Sequence, residues 1–410
     1  MIDLSGSFSR LDGASTYRYI PRLPEPVRNY LKSGVQAGRA FDIRLRLKGD
    51  LGHFPFDDPK QGSFQVVGKV SGVDFSYADG WPGLTGVSGE LAFEGRQMRI
   101  SAPKGTIFGA RILNAKATIA DLFNRNEVLN VEGQAEGATA EFLRFVDLSP
   151  VTRYIDGYTS GMRATGNARL QLKFELPIRR LQQVKVAGSL QLAGNQIAID
   201  SDLAALSFAQ VTGRLDFTEH GINARNLASQ FLGGPAVISV ATLADGTVSV
   251  SAQGTATVAA ARRLVDLPVL DYASGSALWR GSVSVKRRAF ELLVESSLQG
   301  VALKLPLPLG KTAGETLAMR IARTNNVESE LLRRFKVDRL PPRGDAIMLS
   351  IGRNLNGVIV RAREGERMVV ERAALGLNAP TPSLERPGIV VTGSLPYLDF
   401  DHRRALFGAG

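Results

Sequence analysis

Three places in the 410-residue chain bring together residue types that bind or catalyse elsewhere. Gly310-Lys311-Thr312 ends like a phosphate-binding loop, in which backbone amides and a lysine cradle phosphate oxygens. That loop needs glycine five residues before Gly310, where Leu305 stands, and Pro306 and Pro308 remove two amide donors. The segment reads as a loop after a strand. Gly86-Val87-Ser88-Gly89 begins like a nucleophile elbow, but Glu90 takes the closing glycine's place and no Ser–His–acid spacing supports it. Arg343-Gly344-Asp345 reads as a turn following Pro341-Pro342. His53, His220 and His402 lie far apart, and cysteine is absent, so zinc, iron–sulfur and thiol chemistry have no ligand set. The residues specify no enzyme, no cofactor and no metal centre.

The elements that would carry any site are strands. Ile43-Arg44-Leu45-Arg46-Leu47-Lys48 alternates apolar and basic residues, and Leu170-Gln171-Leu172-Lys173-Phe174-Glu175-Leu176 alternates in the same way. Val73/Phe75/Tyr77, Leu91/Phe93, Ile197/Ile199, Leu215/Phe217, Phe290/Leu292/Val294, Val301/Leu303/Leu305, Ile347/Leu349/Ile351 and Ile389/Val391 follow the same period. Successive side chains of a strand point to opposite faces, so each segment makes one oily and one wet face. Buried parallel strands read as continuous apolar runs instead, so the pattern predicts antiparallel sheet. Hydrophobic residues are 44% and charged residues 22% of the chain, enough apolar content to exclude global disorder. No apolar run approaches 18 residues, so no helix is expected to span a bilayer.

Helical signals are few: 27–36 after Pro24 and Pro26, then 140–146, 259–265 and 327–336, with a helix-like 402–407 at the end. They lie between blocks of strands and are too few to cover so much sheet. An internal repeat gives the organisation. Gly89-Glu90-Leu91-Ala92-Phe93 returns as Gly213-Arg214-Leu215-Asp216-Phe217, 124 residues on, and Phe108-Gly109 returns as Leu232-Gly233 by the same shift. Phe145-Val146-Asp147-Leu148-Ser149-Pro150 resembles Leu264-Val265-Asp266-Leu267-Pro268. The expected modules are 1–133, 134–253, 254–323 and 324–410, stacked in one dimension.

Ser297-Leu298-Gln299-Gly300-Val301-Ala302-Leu303-Lys304-Leu305-Pro306-Leu307-Pro308-Leu309-Gly310-Lys311 is a distinctive segment. With it stand, in order along the chain, Tyr17-Arg18-Tyr19-Ile20-Pro21, Gly49-Asp50-Leu51-Gly52-His53-Phe54-Pro55-Phe56, Phe75-Ser76-Tyr77, Gly80-Trp81-Pro82 and Leu398-Asp399-Phe400-Asp401. This ordered set resembles the YhdP family, large AsmA-like proteins of Gram-negative bacteria. The resemblance implies a protein anchored in the inner membrane by an N-terminal helix, crossing the periplasm and carrying phospholipid toward the outer membrane along a hydrophobic β-groove. The opening Met1-Ile2-Asp3-Leu4 leads into polar residues rather than a leader or anchor, so the chain reads as an internal segment of such a protein.

The expected fold is therefore mainly β: an elongated, twisted antiparallel sheet curled into a hydrophobic groove, with short helices at module corners. Candidate groove-lining residues are Leu45, Leu47, Val73, Phe75, Leu91, Phe93, Leu172, Phe174, Ile197, Ile199, Leu215, Phe217, Leu303, Leu305, Ile389 and Val391. The expected partners are phospholipid acyl chains, with the membrane-meeting ends supplied by other parts of the full-length protein. The net charge of +11 suits anionic head groups or a solvated basic surface. Nucleic acid is not expected, because no aromatic-interleaved basic cluster is present. Periodicity alone leaves two readings open: a lipid conduit, and a structural scaffold whose oily faces pair with each other as in a closed sandwich. Tyr17, Tyr19, Trp81 and Trp279 fit a groove rim or packing under the corner helices.

Overall fold

The computed structural model describes residues 1–19, 24–155, 157, 159–200, 205–287, 289–305, 310–365, 367–384 and 387–394. The expected helix at 402–407, the Leu398-Asp399-Phe400-Asp401 motif and the proline-bearing stretch 306–309 lie outside the described residues. The fold is mainly antiparallel β, with short helices. The chain divides into two compact units, 1–195 with 214–220, and 196–213 with 221–410.

The first unit is a run of long strands: β1 (Ile2–Asp12), β2 (Val35–Gly49), β3 (Gly62–Phe75), β4 (Leu84–Glu94), β5 (Gln97–Ile107), β6 (Ala110–Ile119), β7 (Val128–Ala138), β8 (Met162–Thr165), β9 (Asn167–Pro177) and most of β10 (Lys185–Ile199). Strands β1 to β7 pair in sequence order, β9 follows β7, and β10 follows β9, all antiparallel. Helices α1 (Thr16–Tyr19), α2 (Glu25–Gly34), α3 (Thr139–Asp147) and α4 (Val151–Tyr154) fill the corners. Among the described residues β1 pairs antiparallel with β2.

The second unit takes up β11 (Leu206–Thr218), apart from its last residues, then β12 (Gly221–Phe231), β13 (Gly234–Thr242), β14 (Val248–Thr257), β15 (Ala273–Lys286) and β16 (Ala289–Ser296). It continues with β17 (Val301–Leu303), β18 (Met319–Thr324), β19 (Asp345–Ile351), β20 (Leu355–Glu364), β21 (Arg367–Leu377) and β22 (Gly388–Gly393). Strands β12 to β16 and then β18 to β21 pair antiparallel in order, whereas β22 lies parallel to β21. Its helices are α5 (Val258–Leu264) and α6 (Glu330–Arg334). The expected helix at 327–336 contracts to α6. The Asn326 side chain accepts the Glu328 amide in a turn, and Ser329 caps the helix by accepting from Leu331, so the helix starts later.

The sequence repeat has a physical meaning at two hairpin tips. Phe108 and Gly109 both have positive φ, at 49° and 76°, as do Leu232 and Gly233, at 51° and 78°. Positive φ at both central residues is the type I′ turn, whose twist matches that of the flanking strands. Each tip tucks against a corner helix. The Phe108 ring meets Phe145 of α3 edge-on at 6.3 Å, and a Cβ at Gly233 would lie 3.2 Å from that of Ala260 in α5.

A buried asparagine ties the α3 corner to the sheet. The fully buried Asn195 sends its Nδ2 to Thr139 Oγ1 at 2.6 Å, to Thr165 O at 3.2 Å and to Asn167 O at 3.0 Å. Its Oδ1 accepts the Ala193 amide at 2.7 Å. Asn195→Ala leaves several buried polar groups unpaired and is expected to lower stability by about 2–4 kcal/mol. Denaturant unfolding checks this, and a change below about 1 kcal/mol would show that water replaces the side chain.

Candidate functional site

In the first unit the strand registers bring apolar side chains into continuous rows. Leu45, Val66, Phe93, Met98, Ile119, Leu129 and Leu176 stand opposite one another across β2 to β7 and β9. The next row on the same face is Leu91, Ile100, Ala117, Val131, Phe174 and Val186. Leu172 stands opposite Gly188, and the Phe217 ring lies over that glycine, where an added Cβ would meet Cζ at 2.2 Å. These large side chains are half-buried or exposed except Ile119, so the face is oily but not closed over. At one end Phe54 meets Phe64 at 5.2 Å and Phe123 at 5.9 Å. At the other end, near the corner helices, Tyr30 of α2 meets Phe75 edge-on at 6.0 Å.

The opposite face of these strands is charged and ion-paired. Arg46 reaches Asp3 at 2.6 Å, Lys173 reaches Glu132 at 2.8 Å, and Arg111 and Arg169 share Glu136. Hydrogen bonds from Lys173, from Arg111 and Arg169, and from Arg179 hold the carboxyls of Glu132, Glu136 and Glu127 below their ordinary value of 4.5. A depressed carboxyl stabilises the fold fully above that ordinary value and ceases to do so as pH falls through the lowered one. The melting temperature is therefore expected to be insensitive to these groups between about pH 6 and 7 and to fall below about pH 4. Melting curves across that range check the sign; a rise on acidification would contradict it.

The second unit repeats the arrangement. Val240, Val250, Val283, Leu292, Arg323, Ile347, Ile359 and Ala373 form one row, and Ile238, Ala252, Gly281, Val294, Ile321, Leu349, Gly357 and Leu375 the next. Ile389 and Val391 of β22 continue these rows beside Ala373 and Leu375, at 68% and 56% exposure. The reverse face is polar in β13 to β15, through Ser239, Ser251 and Ser282, but from β16, where Leu293 stands opposite Ser282, part of it is apolar as well. There Ala322, Ala346, Met348, Val358, Val360 and Ala374 form a closed core with Leu332 of α6, Val337 and Leu384. The chain thus covers this apolar part of the reverse face itself, with side chains from Leu331 to Leu340 and with Leu384, whereas most large side chains of the two rows on the other face stay half-buried.

At the margin of that other face sits a buried ion cluster. Arg361 donates Nε and Nη2 to the two oxygens of Asp345 at 2.8 and 2.7 Å, and Arg323 donates Nε to Oδ2 at 2.5 Å. The Arg323 guanidinium also lies 4.7 Å from the centre of the Phe290 ring. Arg372 clamps the covering segments from the other side, donating to Leu384 O at 3.1 Å and Arg339 O at 2.8 Å.

The expected lining residues thus fall into groups. Leu45, Leu47, Leu91, Phe93, Leu172, Phe174 and Phe217 share the oily face of the first unit, and Ile389 and Val391 that of the second. Val73 lies beyond a register shift at Gly72, and Phe75 lies beside α2. Leu303 packs against the small core of Val258, Ala277 and Val301 near α5. Ile197, Ile199, Leu215 and Leu305 are half-buried. Val66, Met98, Ile119 and Leu129 belong to the oily row but were not among the candidates; Val66 hides in the doublet Val66-Val67, whereas Met98-Arg99-Ile100 alternates legibly. Gly344 closes the turn onto Pro341 O at 2.8 Å, while Asp345, read only as part of that turn, anchors the ion cluster. Lys311 is engaged by the carbonyls of Leu298, at 2.9 Å, and Val301. Trp81 packs between Tyr77, at 6.2 Å, and Phe145 of α3, at 6.1 Å, and burial pushes the Tyr77 hydroxyl up to about 12. No helix among the described residues is long and apolar enough to cross a membrane.

The family model described as YhdP protein matches residues 1–409. The chain belongs to the YhdP family. It is 24% identical over 331 residues to the intermembrane phospholipid transporter YhdP of Escherichia coli K12, an alignment covering 78% of this chain and 25% of that relative. The chain therefore spans about a quarter of the length of this YhdP relative. No solved structure matches the chain.

Proposed function

We propose that this chain is a segment of a periplasm-spanning conduit that moves phospholipid between inner and outer membranes, with acyl chains lying on the oily faces of its sheets. The observation that carries this reading is the asymmetry of the sheets. One row of Leu, Val, Phe, Met and Ile runs unbroken across seven strands while the reverse face of the same strands is ion-paired. An acyl chain on such rows gains about 0.8 kcal/mol per methylene removed from water. It meets no directional bonds along the way, so lateral movement breaks none. Head groups remain in solvent at the margin, and the chemistry requires no catalytic residue.

The YhdP relative of Escherichia coli is named an intermembrane phospholipid transporter, which supports the same cargo and the same envelope location. In this reading the protein works in the periplasm of a Gram-negative bacterium, other parts of the full-length protein meet the two membranes, and the four sequence modules are successive stretches of one path. The sixteen candidates are proposed as lining, together with Val66, Met98, Ile119 and Leu129.

The test places a photo-crosslinking amino acid at Phe93 or at Glu94 in the full-length protein in cells. Phospholipid is expected on the Phe93 side alone, identified by mass spectrometry of the adduct. Equal labelling at both positions, or none at either, would instead favour a scaffold whose oily faces pair with each other.

A further inference from the structure

The reverse face of the second unit carries a feature that the lipid reading does not use. A cleft of about 1240 Å³ runs beneath α6 and the residues that follow it. Its floor includes one cross-strand row, Val237, Gln253, Arg280, Glu295, Arg320 and Ser350, extended by Asn356. Its overhang is Arg334, Phe335 and Lys336, with Pro380 and Thr381 beside them. The row crosses seven strands, a span of about 29 Å at about 4.8 Å per strand. All of these residues lie in the second unit.

The charge in the cleft is one-sided. Arg280, Arg320, Arg334 and Lys336 face a single carboxylate, Glu295, which is already held by Arg320 and by Arg280 at 2.9 Å. Helix α6 and the residues after it add Arg333, Arg339 and Arg343, against Glu330 and Asp338. None of Arg333, Arg334, Lys336, Arg339 and Arg343 forms an ion pair among the described residues, and all five are exposed. The cleft also offers apolar footholds: Leu278 at 70% exposure, Val237 at 38% and the half-buried Phe335.

We propose that this cleft is a docking site for an extended acidic segment of a partner protein, bearing aliphatic side chains between its carboxylates. The shape selects the occupant. A flat bilayer does not enter a recess beneath an overhang, and an inorganic anion or single head group fills only a small part of so long a cleft. An extended peptide rises about 3.3 Å per residue, so about nine residues match the length. Carboxylates would pair with Arg280, Arg320, Arg334 and Lys336, and aliphatic groups would seat on Leu278, Val237 and Phe335. The site lies on the face opposite the oily rows, so its failure leaves the conduit reading untouched.

The experiment uses the full chain and a fluorescein-labelled peptide of alternating Glu and Leu, with an alternating Lys and Leu peptide as control. Fluorescence anisotropy is expected to show saturable binding of the Glu peptide, weakened at least tenfold in the Arg334→Glu/Lys336→Glu double variant. Raising salt from about 0.1 M to about 1 M shortens the screening length from about 10 to about 3 Å and is expected to weaken binding likewise. Both substituted residues are exposed, and circular dichroism verifies that the variant keeps its fold. Arg46→Gln, a surface change in the first unit, is expected to leave binding intact. Equal binding of the Lys peptide, no binding of the Glu peptide, or no loss in the double variant overturns the proposal. Complete displacement by millimolar inorganic phosphate would reassign the cleft as a small-anion site. Binding of phosphatidylglycerol vesicles that is lost in the double variant, without Glu-peptide binding, would reassign it to a membrane surface.

Discussion

Phe93→Asp is expected to stop lipid passage while leaving the protein folded, whereas Glu94→Gln on the same strand is expected to pass lipid normally. Phe93 stands in the middle of the oily row, opposite Val66 and Met98, and is half-buried. A carboxylate there keeps its hydration only while the row is empty. An acyl chain crossing it either strips that water, at a penalty of several kcal/mol, or leaves the surface. Since each 1.4 kcal/mol is a factor of ten, passage is expected to fall at least a hundredfold. Leu45→Asp and Phe217→Asp are expected to act in the same way, because Leu45 belongs to the same row and Phe217 covers Gly188 on that face. The outward neighbours are Arg46, Glu94 and Thr218. Glu94 faces solvent and pairs with Arg99 and, at 2.8 Å, with Gln65. Exposed pairs of this kind contribute about 0–1 kcal/mol. Each substitution is placed in the full-length protein of a strain that depends on it, and growth and outer-membrane lipid content are measured. Equal tolerance on both faces would remove the basis of the conduit.

The largest effect on stability is expected at Asp345. Its side chain is 2% exposed and is shared by two guanidinium groups that are themselves almost buried, with 9% of the Arg323 and 11% of the Arg361 side chain accessible. Asp345→Ala leaves both cations without their shared partner in an apolar setting. Breaking a buried pair by removing one side costs about 3–5 kcal/mol, much more than the pair itself contributes. The loss should be local, so amide exchange is expected to accelerate in β18 to β21 while β2 to β7 stay protected. The triple variant Arg323→Met/Asp345→Leu/Arg361→Met is expected to recover most of the loss, because it removes the charges together. A single variant within about 1 kcal/mol of the parent would mean that water reaches the cluster.

How far the sequence discloses this molecule depends on which physical signal each part uses. Strand existence was legible because a sheet with one wet face writes period 2 into the chain, as in Leu170 to Leu176. The repeat of Phe108-Gly109 at Leu232-Gly233 was legible, although its cause, a turn with two positive φ values, was not. Legibility failed where the reverse face is also apolar. In Ile347-Met348-Leu349, Met348 enters the core beneath α6 and its neighbours face the other way, so the letters alone assign no face. It also weakened beyond register shifts: Val73 follows one at Gly72, and position parity counted from Val66 no longer gives its direction. The cleft beneath α6 is assembled from residues more than a hundred positions apart, from Val237 to Thr381, and no local pattern announces it.

The split character of the first unit's sheet restricts how its length can vary. Removing one residue from the middle of β7 or β9 would turn Glu132 or Lys173 onto the oily side and Val131 or Phe174 onto the wet side for the rest of that strand. Changes of two residues keep every side chain on its own face. Odd changes are harmless only where the ladder already yields, as in β2 between Phe41 and Arg44, where Asp42 takes φ of 52° and its side chain turns out to Lys69. Insertions and deletions within these strands are thus expected to come in pairs, with single steps confined to the bulges and the hairpin loops.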